Sequence, residues 1–151
     1  TITSKQDGYV TVEVFVEGVT DSVDSAKLHV VINPPLEDAY VISPKTKSLT
    51  FNQTTEGYNV ESVTFTLKKN NVEILDGVTY SVSTNPLSEY LLSQVNGNTI
   101  TFSVDSGKTI TSKLEGTVVV EASIQGVSGS VDSATLSITI NPPVAYEFFP
   151  S

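Results

Sequence analysis

The stretch TITSKQDGYVTVEVFVEGVTDSVDSAKLHVVINPP, residues 1–35, returns as TITSKLEGTVVVEASIQGVSGSVDSATLSITINPP, residues 109–143. The two copies align without a gap, Thr1 with Thr109, and 21 of the 35 aligned positions are identical. A period of about 108 residues fits one small domain per repeat. We therefore expect a tandem array in which residues 1–35 are the last two strands of one repeat, residues 36–143 are a complete repeat, and residues 144–151 begin the next.

Both copies alternate aliphatic with polar residues, which is the period of a strand with one buried face. In the first strand of each copy the aliphatic set is Val10, Val12, Val14 and Val16, or Val118, Val120, Ala122 and Ile124. In the second strand it is Ala26, Leu28, Val30 and Ile32, or Ala134, Leu136, Ile138 and Ile140. Where the copies differ, one aliphatic residue replaces another, so we expect these positions to face a core.

Further strand patterns lie between the copies, at residues 49–51, 62–67, 72–75, 78–82 and 100–104. Turn-forming residues separate them, and the strongest hairpin signal is Asn96-Gly97, because both residues tolerate positive φ. Residues 86–94 have near-helical apolar spacing, which predicts one helical turn, a short irregular crossover or a strand. Seven or eight short strands with turns between them predict an all-β chain folded as an antiparallel β-sandwich.

Each copy ends in two consecutive prolines, which we expect to mark a domain boundary. Proline cannot donate a hydrogen bond to a sheet, so the pair ends a strand, and it favours a stiff extended linker. Such a linker holds neighbouring domains at a set angle. The predicted junction residues are Asn33, Pro34, Pro35, Asn141, Pro142 and Pro143.

The composition excludes several classes of function. The net charge is −9 and all eight basic residues are lysine, so we expect no nucleic-acid partner, since arginine is the best reader of phosphate and guanine. No stretch approaches the roughly 20 apolar residues of a membrane helix, and we expect no membrane contact by this segment. Cysteine is absent, which excludes disulfides and thiolate metal sites. We expect no cofactor.

Residues 78–143 resemble the bacterial immunoglobulin-like domains of group 2, the invasin and intimin type. The segments that carry the resemblance are VTYSVSTNP, VNGNTITF, EGTVVVEASIQG and SATLSITINPP. Gly116 stands where the family has a turn glycine, and Val120 and Ala122 match its buried pair. The resemblance implies an immunoglobulin-like sandwich and a role in stalks and adhesins on microbial surfaces. It equally fits a neighbouring microbial immunoglobulin-like family, including those of phage tail and capsid proteins.

Few residues suggest chemistry, and we expect no enzyme. His29, the only histidine, has no nucleophile pattern around it, so we expect it at the surface. The carboxylates of the junction could bind calcium, although solvated turn residues explain them more simply. These carboxylates are Asp21, Asp24, Glu37 and Asp38. A surface aromatic platform for carbohydrate would draw on Tyr9, Phe15, Tyr58 and Tyr90, against which ordinary partial burial is the simpler interpretation.

Two asparagines are candidate modification sites. Asn52-Gln53-Thr54 is the only N-glycosylation sequon, in a polar stretch that we expect to be an exposed loop. An isopeptide crosslink could join Asn141 to a lysine with help from Glu121, although a position before two prolines is explained without it. The lysines considered are Lys45, Lys47, Lys68 and Lys113.

The sequence therefore predicts a structural or adhesive segment of a microbial extracellular filament, pilus-like fibre or adhesin stalk. Its partners would be neighbouring repeats or identical subunits, joined by a continuous chain or by β-strand complementation. A host or surface glycan is a further expected partner. The alternatives are a phage or virus tail or capsid decoration protein, and a carbohydrate-binding module of a secreted enzyme.

Overall fold

The computed structural model describes residues 1–35 and 38–144, and every regular element within them is a β-strand. Contacts divide the chain into two units, Thr1–Glu37 and Asp38–Ser151. Leu36 and most of the predicted start of a next repeat, residues 145–151, lie outside the described residues. The chain is thus all-β, as the alternating pattern predicts.

The first unit is an antiparallel hairpin of β1 (Gln6–Val14) and β2 (Asp24–Ile32). Its pairing runs from Gln6 opposite Ile32 to Val14 opposite Asp24. The predicted aliphatic face exists, and within this unit it is exposed, as expected for two strands without the rest of their repeat. Val10 and Leu28 are each 50% exposed, because no second sheet covers the hairpin in Thr1–Glu37. Val16 lies beyond the end of β1.

The second unit contains twelve strands in its described part, more than the seven or eight predicted. They are β3 (Tyr40–Ser43), β4 (Thr46–Phe51), β5 (Gln53–Thr54), β6 (Gly57–Tyr58), β7 (Glu61–Thr64), β8 (Thr66–Lys69), β9 (Val72–Glu73), β10 (Val78–Thr84), β11 (Leu91–Asn96), β12 (Thr99–Val104), β13 (Leu114–Ile124) and β14 (Ser130–Ile140). The excess comes from interruptions and two-residue pieces. For example, Phe65 separates β7, which pairs with β12, from β8, which pairs with β3 in another sheet.

The strands form several sheets. The largest has the order β10-β13-β14-β4, in which β13 is antiparallel to both its neighbours and β4 runs parallel to β14. Two three-stranded antiparallel sheets have the orders β11-β12-β7 and β3-β8-β9, and β5-β6 is a short hairpin. These sheets are consistent with a β-sandwich.

One apolar core joins the sheets of the second unit. Leu136 of β14, Phe102 of β12 and Ile42 of β3 are each 0% exposed and belong to the same buried cluster. The core positions predicted on β13 and β14 are confirmed, with Ile124 partly buried at the strand end. The fully buried ones are Val118, Val120, Ala122, Ala134, Leu136, Ile138 and Ile140.

The tight turns follow the local sequence with one shift. Asn70 and Asn71 both have positive φ, 50° and 68°, and connect β8 to β9 as the mirror-image turn that a two-residue hairpin favours. The hairpin between β11 and β12 turns on Gly97 and Asn98, not on Asn96-Gly97. Asn96 is still paired with Thr99, and only Gly97 has positive φ, at 61°. Glycine at the first loop position is what this turn requires.

The ambiguous stretch after β10 is a helical turn followed by a strand. The N–H groups of Tyr90 and Leu91 both donate to the Leu87 carbonyl, at 2.9 and 2.8 Å, and β11 begins at Leu91. The turn places Leu87 on the core, 8% exposed, and against β13. There a Cβ on Gly116 would stand 3.0 Å from Pro86 Cγ and 3.1 Å from Leu87 Cγ. Gly116 is therefore required by close packing, not by a turn.

Candidate functional site

The carboxyl-terminal end of β14 is the best-defined polar site among the described residues. Asn141, the predicted junction residue, follows β14 directly and precedes Pro142. Its N–H donates to the Phe51 carbonyl at 3.0 Å, which continues the pairing of β14 with β4 by one residue. Its own carbonyl accepts a 2.6 Å hydrogen bond from the Tyr58 hydroxyl. The backbone that leads into the proline pair is thus held on both sides.

Side-chain amides complete this arrangement. Asn141 Nδ2 donates to Asn52 Oδ1 at 2.8 Å, and the Asn52 N–H donates to Asn59 Oδ1 at 2.7 Å. Asn59 in turn donates to the Thr50 carbonyl at 3.0 Å and to Glu61 Oε1 at 2.7 Å. We call Asn52, Tyr58, Asn59 and Asn141 the junction clamp. It ties the end of the last strand to the β5-β6 hairpin.

The clamp tyrosine is partly buried. Desolvation raises the pKa of Tyr58 above its usual 10.0, because the phenolate would be poorly hydrated beside the core. A tyrosine hydroxyl is protonated at neutral pH even with the ordinary pKa, so it donates to the Asn141 carbonyl, and the raised pKa extends this state to higher pH. Sequence reasoning treated Tyr58 only as a scattered aromatic and did not single out Asn59. No local pattern could have found them, because Tyr58 and Asn141 are 83 residues apart.

The structure brings two predicted site residues, Asn52 and Asn141, into direct contact. The sequon lies at an exposed hairpin: Asn52 precedes β5, and Thr54 pairs with Gly57 of β6. The contact to Asn141 uses Asn52 Oδ1, whereas a sugar would be attached to Nδ2. The atom that would carry the sugar is therefore not the one that makes this contact, and glycosylation of Asn52 stays a prediction.

The geometry opposes the isopeptide crosslink at Asn141. Glu121 pairs with Ser133, which is eight residues from Asn141 along β14. At about 3.3 Å per strand residue the two sites are roughly 26 Å apart, far beyond catalytic contact. One candidate lysine, Lys45, is engaged elsewhere, because its ammonium contacts Asp132 Oδ1 at 2.5 Å.

The acidic residues are distributed over separate contacts. Asp132 Oδ2 accepts the Ile42 N–H at 2.8 Å while Oδ1 binds Lys45. Burial alone would raise the pKa of Asp132, but the hydrogen bonds from Lys45 and the backbone outweigh it and hold the pKa below its ordinary 3.8. Asp38 pairs with Lys69 at 3.1 Å, and Asp24 accepts the Ser25 N–H at 2.8 Å. Within residues 1–35 and 38–144 no cluster of three or more potential metal ligands occurs; Glu37 lies outside them.

His29 is at the surface of the first unit, on the face opposite the aliphatic one. Its ring contacts Asp7 Oδ1 and stacks on Tyr9 at 5.1 Å between centroids, and the Lys27 ammonium lies 4.9 Å from the centre of the Tyr9 ring. This polar face is therefore stabilised by its own neighbours. No nucleophile contacts His29 among the described atoms, in line with a surface role.

A shallow cleft on the outer face of β4, β13 and β14 is lined by hydroxyl groups rather than rings. Its lining residues are Thr46, Lys47, Ser48, Thr117, Thr135 and Ser137. The four aromatic residues considered for a carbohydrate platform lie elsewhere, with Tyr9 and Phe15 in the first unit and Tyr58 and Tyr90 packed against the core of the second. Among the described residues, the aromatic contacts are Tyr9 with His29 and Phe65 with Tyr80, and none joins two of these four side chains.

The aliphatic face of the β1-β2 hairpin is a contiguous row of exposed apolar residues. Its exposed residues are Val10, Val12, Val14, Leu28, Val30 and Ile32, between 38% and 53% exposed. Burying such a side chain stabilises a protein by about 1.5–3 kcal/mol, and a two-stranded hairpin is marginal in water by itself. An exposed face of this size marks an interaction surface.

Comparison with known proteins adds no relative. No family model matches the sequence, and no curated protein resembles it significantly. The described residues contain no helix that is long and apolar enough to cross a membrane.

Proposed function

We propose that this chain is a structural or adhesive segment of a microbial extracellular filament, pilus-like fibre or adhesin stalk, built from tandem immunoglobulin-like sandwiches of the group 2 bacterial type. One observation carries the proposal: the two hairpins have the same register. The pairs from Gln6–Ile32 to Val14–Asp24 recur at the equivalent positions of the second copy, from Leu114–Ile140 to Ala122–Asp132. A one-residue slip would reverse every side chain, so the equal register puts the aliphatic residues of both hairpins on equivalent faces, although only the second hairpin is covered.

The strand order of the second unit supports the immunoglobulin-like interpretation. Its long hairpin β13-β14 is central in a four-stranded sheet, with β10 on one side and the parallel β4 on the other. The strands β7, β12 and β11 are neighbours in a second sheet. Mainly antiparallel sheets packed around one apolar core are typical of this class.

The junction clamp supports a mechanical role. Asn141 is held by its N–H, its carbonyl and its side chain just before two stiff prolines. A fixed strand end followed by a stiff linker would pass force from one domain to the next along a set direction. Neighbouring repeats or identical subunits are therefore the proposed partners, and a host or surface glycan is a further one.

Electron microscopy of the native material tests the proposal. Beaded filaments or stalks with one globule per sequence repeat, outside the cell, are the expected result. Particles of a phage or virus that carry isolated copies would favour the alternative decoration protein. Compact soluble particles inside cells would contradict both.

A further inference from the structure

Two residues of the first unit, Gly8 and Asp24, have no structural role in an isolated hairpin. Gly8 lies within β1, where glycine weakens a strand, and no atom stands within 4 Å of the Cβ position. Asp24 sits at the end of the aliphatic face, opposite Val14, and its carboxylate accepts only the neighbouring Ser25 N–H among the described hydrogen bonds.

The second unit shows what the same positions do when they are covered. Gly116, the equivalent of Gly8 in the second copy, leaves the space that Pro86 and Leu87 fill. Asp132, the equivalent of Asp24, binds the Lys45 ammonium and the Ile42 N–H. Both are contacts to strands or turns that precede Thr109 in the chain and pack around β13-β14.

We propose that the aliphatic face of β1-β2 is a docking site for a strand set with the chemistry of residues 38–108, which sets a Pro-Leu turn over Gly8 and a lysine ammonium against Asp24. This inference rests on the proposed repeat architecture and deepens it by naming the partner surface. The charge of Asp24, the space above Gly8 and the shared register all select this occupant. A membrane or a second hairpin would leave the Asp24 carboxylate without a cationic partner and would not fill the space above Gly8.

A second copy of the intact chain is not the occupant. Its own β13-β14 hairpin already fills the position between β10 and β4. Docking there would require that hairpin to leave, which would expose side chains as apolar as those covered. The partner surface must therefore belong to a strand set whose last hairpin is β1-β2 itself.

A graft of residues 38–108 directly ahead of Thr1 tests the inference, because the grafted segment then continues into Thr1 as the natural one continues into Thr109. Hydrogen exchange by mass spectrometry is compared between this graft and the ungrafted chain. We expect amides of β1 and β2 to exchange at least about 100-fold more slowly in the graft, approaching the rate of β13 and β14. The unit Asp38–Ser151 in the same molecule is the internal control for folding.

Matched variants of the graft identify the contacts. Gly8→Val and alanine in place of the grafted copy of Lys45 should each accelerate exchange in β1-β2. Tyr9→Thr should not, because Tyr9 lies on the opposite face and the second copy has Thr117 there. Unprotected β1-β2 in the graft beside a protected β13-β14 overturns the inference. So does slow exchange of β1-β2 in the ungrafted chain together with a dimer in sedimentation, which would mean that the hairpins cover each other.

The two proposals can fail separately. If micrographs show filaments but the β1-β2 amides of the graft exchange rapidly, the filament proposal stands and the proposed partner surface is rejected. If the β1-β2 amides of the graft exchange slowly but micrographs show no filaments, the proposed partner surface stands and the filament proposal is rejected.

Discussion

Single residues decide how the second unit ends and how it is held together. Tyr58 and Asn141 fix the last strand by one hydrogen bond between elements far apart in the chain, and Asp132 ties β14 to the segment around Ile42 and Lys45. Each of these bonds involves a partly buried group, so a lost partner leaves a polar group poorly hydrated. Substitution of these residues should therefore have measurable effects on stability.

Tyr58→Phe keeps the ring against the core and removes only the hydroxyl. We expect the free energy of unfolding of the second unit to fall by about 1 kcal/mol, because the Asn141 carbonyl loses its donor. Urea unfolding followed by circular dichroism measures it. The control is Tyr9→Phe at a 65% exposed ring in the first unit, with an expected change within about 0.5 kcal/mol. Equal effects of the two substitutions would contradict a specific clamp.

Asp132 links stability to acid pH. Its pKa is lower in the folded chain than the ordinary 3.8, so its stabilisation is complete above that value and is lost as the pH falls through the folded-state pKa. Asp132→Asn should therefore flatten the decline in stability between about pH 5 and pH 2 and lower stability at pH 7. Asp24→Asn, the equivalent change in the hairpin, should leave this decline unchanged in urea titrations. A decline that is the same in wild type and Asp132→Asn would count against the ion pair.

At the scale of elements, the two hairpins share a register but differ in what packs on them. The local signals that form them are present in the sequence: alternation of period two, turn glycines and a proline pair. The packing of the helical turn on β13 is not visible there, because strands β11 and β12 separate Pro86 from Gly116 along the chain and the contact depends on a chain crossing. The same limit hid the parallel pairing of β4 with β14 and the interruption at Phe65.

Comparing Gly116→Ala with Gly8→Ala separates the effect of close packing on stability from the effect of backbone preference. In Gly116→Ala the new methyl group would stand 3.0–3.1 Å from Pro86 and Leu87, so these side chains would have to shift, and we expect a loss of about 1–3 kcal/mol in the free energy of unfolding. Gly8→Ala places the same methyl group where no atom lies within 4 Å, and alanine suits a strand interior better than glycine. Denaturant unfolding of both variants should show a loss only for the first. A loss of the same size for Gly8→Ala in the ungrafted chain would mean that something already covers β1.

At the scale of the whole molecule, the second unit has a buried apolar core, whereas the first unit is a hairpin with one exposed aliphatic face. The sequence predicted the all-β class, the strand faces of the second copy and most turns, because these depend on neighbouring residues. It could not predict the clamp, whose Asn52 and Asn141 are 89 residues apart. The exposure of the first copy's valines does follow from the sequence, because residues 1–35 supply only two strands of a repeat and two strands cannot bury their own aliphatic face.

Leu28 and Leu136, equivalent in sequence, should respond differently to truncation in the ungrafted chain. Leu136 is 0% exposed, so Leu136→Ala should cost about 2–5 kcal/mol of stability. Leu28 is 50% exposed, so Leu28→Ala should change the stability of the second unit by less than about 0.5 kcal/mol. Thermal and urea unfolding measure both. A large effect of Leu28→Ala would contradict the exposed face.

Hydrogen exchange on the native material tests most directly whether matching residues of the two copies occupy equivalent places in successive sandwiches. Peptides that contain Val12 and Val120 report on the two copies within one sample. We predict equally slow exchange for both, in contrast to the isolated chain, where the first copy should exchange rapidly. Rapid exchange around Val12 in native material, beside slow exchange around Val120, would contradict the account.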